Sequence, residues 1–191
     1  MTDRPDPTAA TLARLVAKQE VADLLARYLR AIDRGDVEGL RACYLPGATE
    51  DHGGVFTGDA QAYVDSVAAT LVHPRAVGTH ALTNVLVEVD EDATTAVAES
   101  YVLAFARVRT PDGPVADSLT AARMVDRLRC VEGRWGIEHR TLRFDWNHDM
   151  PRTEGWLYGL LAGDPAELRR SGRFPDDPIY TAAPAPAGSA A

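Results

Sequence analysis

From Thr8 to about Asp33, apolar residues recur at helical spacing, with Leu12, Leu15, Val16, Leu24, Leu25, Tyr28, Leu29 and Ile32 forming one stripe. Thr8 supplies an N-cap, Gly35 a stop signal, and Asp36 a cap for a second, short helix from Val37 to about Tyr44, closed by Pro46-Gly47. The segment from Glu50 to Gly58 is short and turn-rich. Gly58-Asp59 then precedes a third helix, about Ala60 to Val72, carrying Tyr63, Val67 and Leu71 on one side. From His80 onward the period changes from 3.6 to 2. His80–Val89, Thr94–Val108, Ser118–Val131 and Trp135–Phe144 read as strands, joined by turns at Asp90-Glu91-Asp92, Pro111-Asp112-Gly113-Pro114 and Glu132-Gly133. Four consecutive strands with hairpin links form an antiparallel meander, and three preceding helices must cover one face of it. The expected class is α+β.

The pattern also singles out side chains that could carry chemistry. The stripe through Leu25 and Leu29 continues onto Asp33, at i, i+4 and i+8. A carboxylate on the core side of a helix must find a partner, and a solvent-facing acid there would oppose the helix dipole. His80, an imidazole able to take and return a proton, is a partner that would make the carboxylate useful. Strict alternation places His80, Leu82, Asn84, Leu86 and Glu88 on one face, a polar and apolar mixture that suits a pocket lining. Tyr28 is a core residue whose hydroxyl needs a partner. His52, between acids and two glycines, reads either as a solvated loop histidine or as a second pocket acid. Arg140 and His139 compete for one position, because alternation from Trp135 and Ile137 favours His139 and only a bulge brings Arg140 inward. Phe105, Met124 and Leu82 are the expected pocket walls. Asp145 and Trp146 are expected to pack or cap a strand end.

Composition narrows the function classes. At 191 residues the chain suits one domain with tails. A net charge of -8, with basic residues interspersed among acids, argues against nucleic acid or an anionic membrane surface as partner. Cys43 and Cys130 stand far apart, which supports neither a disulfide framework nor a zinc site. The histidines and carboxylates lack metal-ligand spacing, and neither a Gly-x-Ser-x-Gly elbow nor a Gly-rich phosphate loop occurs. No metal or cofactor is expected. The first residues lack an apolar signal region and no run reaches the roughly 18 apolar residues of a span, so a cytoplasmic location is expected. The expected organisation is a flexible leader over 1–7, the domain over 8–150, a C-terminal extension over 151–181 packing on it, and a disordered tail over 182–191.

Several strings point to a family. They are Tyr28-x4-Asp33 with Gly35-Asp36; Pro46-Gly47-Ala48 followed by Asp51-His52-Gly53; and His80-x3-Asn84 leading into Val-x-Val-Asp. Ala98-Glu99-Ser100-Tyr101, Trp135-x-Ile137-x-x-Arg140 and Asp145-Trp146 follow in order. Over about residues 12–150 this order resembles the nuclear-transport-factor-2-like, or SnoaL-like, superfamily, whose fold is a cone-shaped antiparallel sheet covered by three N-terminal helices. Its dehydratase-type branch works through a buried Asp-His pair. The resemblance places that pair on Asp33 and His80, a helper hydroxyl on Tyr28 and a cationic group on Arg140. It implies a cofactor-independent lyase, a dehydratase acting on a ring-containing steroid-, terpenoid- or polyketide-like substrate. His80 would be the base and Asp33 its orienter, and Tyr28, assisted by Arg140 or His52, would polarise the carbonyl or protonate the departing hydroxyl. His52, Asn84, Phe105, Met124 and Leu82 would contact the substrate. An isomerase or polyketide cyclase, or a non-catalytic small-molecule-binding or assembly module, is the alternative on this fold. Val85-Val87-Val89 and Ala96-Ala98-Ser100-Val102-Ala104 read as outward apolar faces, which calls for a homo-oligomer. The resemblance suggests a trimer, with a dimer second.

Overall fold

The helical stripe and the alternating segments assemble into one curved sheet with helices on its concave side. The computed structural model describes residues 7–73, 76–109, 115–156, 160–161, 164, 166 and 168–182. Helices α1 (Pro7–Arg34) and α2 (Val37–Arg41) come first, followed by strands β1 (Tyr44–His52) and β2 (Thr57–Asp59) and helix α3 (Ala60–Leu71). Strands β3 (Val77–Val89), β4 (Thr95–Arg109), β5 (Val115–Val131) and β6 (Arg134–Pro151) follow, and a one-turn helix α4 (Pro178–Thr181) ends the described chain. Residues 1–6 of the leader, 110–114 with the expected Pro111–Pro114 turn, and 183–191 of the tail lie outside the described residues, while Pro7, expected in the leader, begins α1. Among the described residues, no helix is long and apolar enough to cross a membrane.

The four-strand meander is present, but the sheet has six strands in the order β2-β1-β6-β5-β4-β3. Two corrections to the sequence reading follow. Residues 44–52, expected to end a helix and enter a turn-rich loop, form β1, which pairs parallel with β6, while every other neighbouring pair is antiparallel. The last strand runs on to Pro151 rather than ending at Phe144. Pro46-Gly47 misleads because both sit where the register between β1 and β6 slips, between Tyr44 and Thr49, and proline is tolerated at such a break.

Bulges decide which residues face inward. In β3 the register shifts between Thr83 and Leu86, with Asn84 at φ 49°. This reverses the alternation: His80 and Leu82 are inward before it, and Val87, only 7% exposed, is inward after it. Strict alternation therefore misassigned Asn84, Leu86 and Val87. Ala96, Ala98, Ser100 and Val102, expected outside, are all buried in β4's inner face. Their small side chains leave room for Val21, Leu24 and Leu25 of α1 in the shared core. The outer face instead carries Val97, Tyr101 and Leu103, each about two-fifths exposed. The N-terminal part of the α1 stripe, Leu12, Leu15 and Val16, is also exposed, so the helix buries its stripe only from Ala17 onward. In β6 the pairs Arg127↔His139 and Leu128↔Ile137 leave Glu138 as an extra residue, and that bulge brings Arg140 inward.

Candidate active site

Asp33 stands in the last turn of α1, whose end is fixed by backbone geometry. The N–H of Gly35 bonds the Ile32 carbonyl and that of Asp36 bonds the Ala31 carbonyl, the double hydrogen bond of a left-handed glycine stop. Gly35, at φ 71°, lies against α3, and a Cβ there would meet the Leu71 carbonyl oxygen at 2.6 Å. From the C-terminal segment, Arg173 donates through Nη1 to the carbonyls of Asp33 (3.2 Å) and Ala76 (3.3 Å), tying the helix end to the start of β3. Phe174 adds a backbone bond to the Arg34 carbonyl at 2.7 Å.

This anchoring aims the Asp33 carboxylate at His80 through both oxygens. Oδ2 accepts the His80 backbone N–H at 3.0 Å, and Oδ1 lies 2.6 Å from ring Nδ1. An ionised carboxylate only accepts, so this contact requires the proton on Nδ1 and leaves Nε2 with a lone pair whenever the ring is neutral. The His80 side chain retains 23% exposure and that of Asp33 9%. The pair is therefore sheltered without being sealed.

His80 stands between two spaces. The inner cavity, about 340 Å³, is also lined by Tyr28, His52, Tyr63, Met124 and Phe144. An outer vestibule of about 1050 Å³ shares Ile32, Thr70, Leu71 and His80 with it and also meets Arg107, Arg152 and Arg173. The inner cavity falls within the size range of small-molecule sites, mostly apolar with a few convergent polar groups.

The expected site residues divide into those the cavity unites and those it does not. Asp33, His80, Tyr28, His52 and Met124 meet in or around it. Leu82 is half-buried and packs against the core cluster without lining the cavity. Asn84 is exposed on the far side of the β3 bulge. Phe105 shares its strand face with Leu103 and lies under the Arg107 guanidinium at 6.0 Å, also outside the cavity. His139 points away from the interior, its ring between the hydroxyls of Thr49 (2.7 Å) and Thr141 (3.0 Å).

Arg140 is inward but does not reach the cavity. It is fully buried and grips Asp126, its cross-strand partner, through Nε (2.6 Å) and Nη2 (2.8 Å). Its guanidinium carbon lies 3.9 Å from the centroid of the Tyr28 ring. Burial works against the charge, but Asp126 and the phenols of Tyr28 and Tyr44 more than offset it and hold the Arg140 pKa well above its ordinary value. Arg140, expected as a cationic group that faces the pocket and assists Tyr28, is inward but does not line the cavity. It reaches the site through Tyr28, whose phenol burial keeps protonated despite the opposing pull of Arg140.

Two acids went unread in the sequence. Glu50, 1% exposed, accepts the Tyr44 hydroxyl at 2.6 Å and meets His52 Nδ1 at 2.8 Å. The His52 ring stacks on Tyr63, with centroids 4.8 Å apart. The available signal was the alternation of Ala48, Glu50 and His52, hidden by the loop reading of that segment. Asp126 had the same signature, sitting between Met124 and Leu128 on one strand face. Among the described residues, no group of three or more His, Cys, Asp or Glu side chains is arranged to hold a metal ion.

Comparison with known proteins agrees with this architecture. A candidate scytalone dehydratase of Novosphingobium aromaticivorans superposes with a TM-score of 0.63 at 23% identity, over 75% of this chain and 98% of that one. Hexachlorocyclohexane dehydrochlorinase LinA type 3 of Novosphingobium barchaimii gives 0.63 at 20% identity, over 73% and 94%. A Mycobacterium tuberculosis protein of unknown function gives 0.55 at 27% identity, over 69% and 77%. A search of curated protein sequences returns no match. The SnoaL-like domain family matches residues 13–141, about two-thirds of the chain, and the protein belongs to that family.

Proposed function

We propose that the protein is a cofactor-independent lyase of the dehydratase type, with His80 as its general base. The observation that carries this reading is the double grip of Asp33 on His80, which fixes the ring and its tautomer at the edge of an apolar cavity. A base held this way removes a proton α or vinylogous to a carbonyl. Asp33 stabilises the imidazolium that forms without itself taking the proton. Tyr28 supplies a neutral hydroxyl to polarise the carbonyl oxygen. The dehydratase and dehydrochlorinase likenesses support elimination chemistry, and the apolar, aromatic lining supports a ring-containing substrate of steroid, terpenoid or polyketide type.

The test is a screen of ring-containing β-hydroxy carbonyl compounds read by product mass. Loss of water identifies a dehydratase, whereas an unchanged mass with a changed spectrum identifies an isomerase or cyclase. His80→Ala should lower kcat by on the order of 10²- to 10⁴-fold, and Asp33→Asn by a comparable factor. The double variant should lose little more than either single one, because both remove one unit. Wild-type turnover by both single variants would leave the cavity as a binding site only.

We also propose that the exposed outer face of β4, with Val97, Tyr101 and Leu103, is covered by a second copy of the chain in a trimer or dimer. A monomer by light scattering at micromolar concentration would overturn this.

A further inference from the structure

The inner cavity holds a second histidine–carboxylate pair, on a different strand from the first. Like His80, His52 commits Nδ1 to a carboxylate, Glu50, and turns its ring to the cavity. The two pairs differ in what surrounds the acid. Glu50 is one member of a row across three strands, opposite Arg140 of β6, which is itself opposite Asp126 of β5. All three side chains are buried.

The charges facing this row can be counted element by element. β1 contributes Glu50, β5 Asp126, whose carboxyl burial raises against the pull of Arg140, and β6 Arg140, with His139, turned outward, also acting on Asp126. Tyr28 of α1, Tyr44 of β1 and Tyr63 of α3 are all phenols whose burial keeps them protonated. Asp33 of α1 and His80 of β3 satisfy each other. Two carboxylates thus share one guanidinium, and Arg140 spends both its short contacts on Asp126. Glu50 keeps hydrogen bonds from Tyr44 and His52, but a buried carboxylate without a full counter-charge is disfavoured. The row becomes neutral if the Glu50–His52 pair holds one extra proton.

We propose that Glu50–His52 is the general acid of the reaction, an imidazolium that delivers its Nε2 proton to the departing oxygen while His80 acts as base. This rests on the reading of His80 given above. His80 Nε2 takes the carbon-bound hydrogen as a proton, and the electron pair of that C–H bond becomes the new C=C bond. The C–O bond breaks with its pair on oxygen, and the oxygen takes the His52 proton and leaves as water. The enzyme ends with His80 charged and His52 neutral. Both side chains keep about a fifth of their exposure, 23% and 19%, so solvent can reset them. Glu50 acts through His52 as a positioning residue.

The test needs no substrate. Histidine-selective nitrogen-15 NMR of the full chain at neutral pH reports the protonation and tautomer of each ring, with His52 identified by its through-space contact to the Tyr63 ring. The expected spectrum shows His52 as imidazolium and His80 as the neutral tautomer protonated at Nδ1. Glu50→Gln should return His52 to the neutral form and leave His80 unchanged. A neutral His52 in the wild-type chain overturns the proposal even if the variant does not fold, and so does a His52 that stays charged in folded Glu50→Gln. A His80 found in another form would instead sink the base assignment, so the two failures are separately visible.

Discussion

Asp33–His80 and Asp126–Arg140 both join a carboxylate to a side-chain nitrogen at 2.6 Å, yet they stand in opposite environments. The first keeps 23% exposure on the base and lies on the wall of a cavity, whereas the second is 0% exposed on both side chains. A contact distance alone therefore does not distinguish a proton-transfer group from an internal strut. What distinguishes them is what remains unspent: His80 has a second nitrogen that a ligand can reach. Arg140 cannot lose its proton; Asp126 takes its Nε and Nη2, Tyr28 takes one face, and the remaining Nη1, without a hydrogen-bond partner, is buried off the cavity lining. The first pair suits chemistry, and the second holds up the floor beneath the cavity.

The largest expected effect separates the two directly. Arg140→Met leaves Asp126 buried without a counter-charge and should cost about 3–5 kcal/mol in denaturant unfolding, enough to endanger folding of a typical domain. Adding Asp126→Leu should recover most of that loss, since an apolar pair of similar volume is often as stable as a buried ion pair. His80→Ala should do the reverse, with about 1 kcal/mol or less in stability and the large loss in turnover given above. An Arg140→Met chain as stable as wild type would show that water reaches Asp126 and that the contrast is one of degree.

How far this contrast could be read from residues alone depends on the local period. The stripe Leu25–Leu29–Asp33 is an unbroken helical pattern, so Asp33 was placed correctly, and the switch to alternation marked His80 and the meander. Failures cluster where one extra residue changes strand parity. The β3 bulge moves Asn84 and Leu86 outward and Val87 inward, whereas β4, whose inner face was expected to be its outer one, has no register shift against β5. At Arg140 the bulge was foreseen but its partner was not. Asp126 lies 14 residues upstream on the neighbouring strand, and only the β5–β6 register shows that the two oppose each other. Glu50 was lost for another reason: β1 is held by a parallel pairing to the last strand, a contact of long sequence separation that its Pro-Gly start conceals. The family resemblance supplied the position of Arg140 but not its burial, which follows from packing.

A second, smaller effect measures the dielectric beside Arg140. Cys43 lies 4% exposed at the same end of the core, and burial raises its thiol from 9.0 to about 11, against the opposing pull of Arg140 and Arg27. The folded state therefore holds the thiol proton longer than the unfolded state does. The associated stability is fully present below about 9 and is lost as pH rises toward 11. At mildly alkaline pH a thiol-specific reagent should modify half-buried Cys130 and spare Cys43, with the second equivalent appearing only on unfolding. Rapid native labelling of both would mean that the Arg140 end breathes.

The smallest expected effect comes from ion pairs of the same chemistry in the opposite setting. Glu154 receives Arg107 at 3.0 Å, Arg152 at 3.1 Å and Arg170 at 3.1 Å, fastening the chain beyond β6 beside the vestibule. Partial burial tends to raise its carboxyl, but the three guanidiniums prevail and hold it below its ordinary 4.5. A lowered carboxyl stabilises the fold above its ordinary value and loses that contribution as pH falls through the folded one. Arg152 and Arg170 are each about half exposed, so solvent and salt screen most of the attraction. Glu154→Gln should therefore cost roughly 1 kcal/mol or less at neutral pH, against the several expected for Arg140→Met. The difference between Glu154→Gln and wild type should shrink both in high salt and in acid, whereas the Arg140→Met loss should persist in high salt. Thermal unfolding across both series measures this, and a salt-independent Glu154 effect would place the cluster with the buried pair.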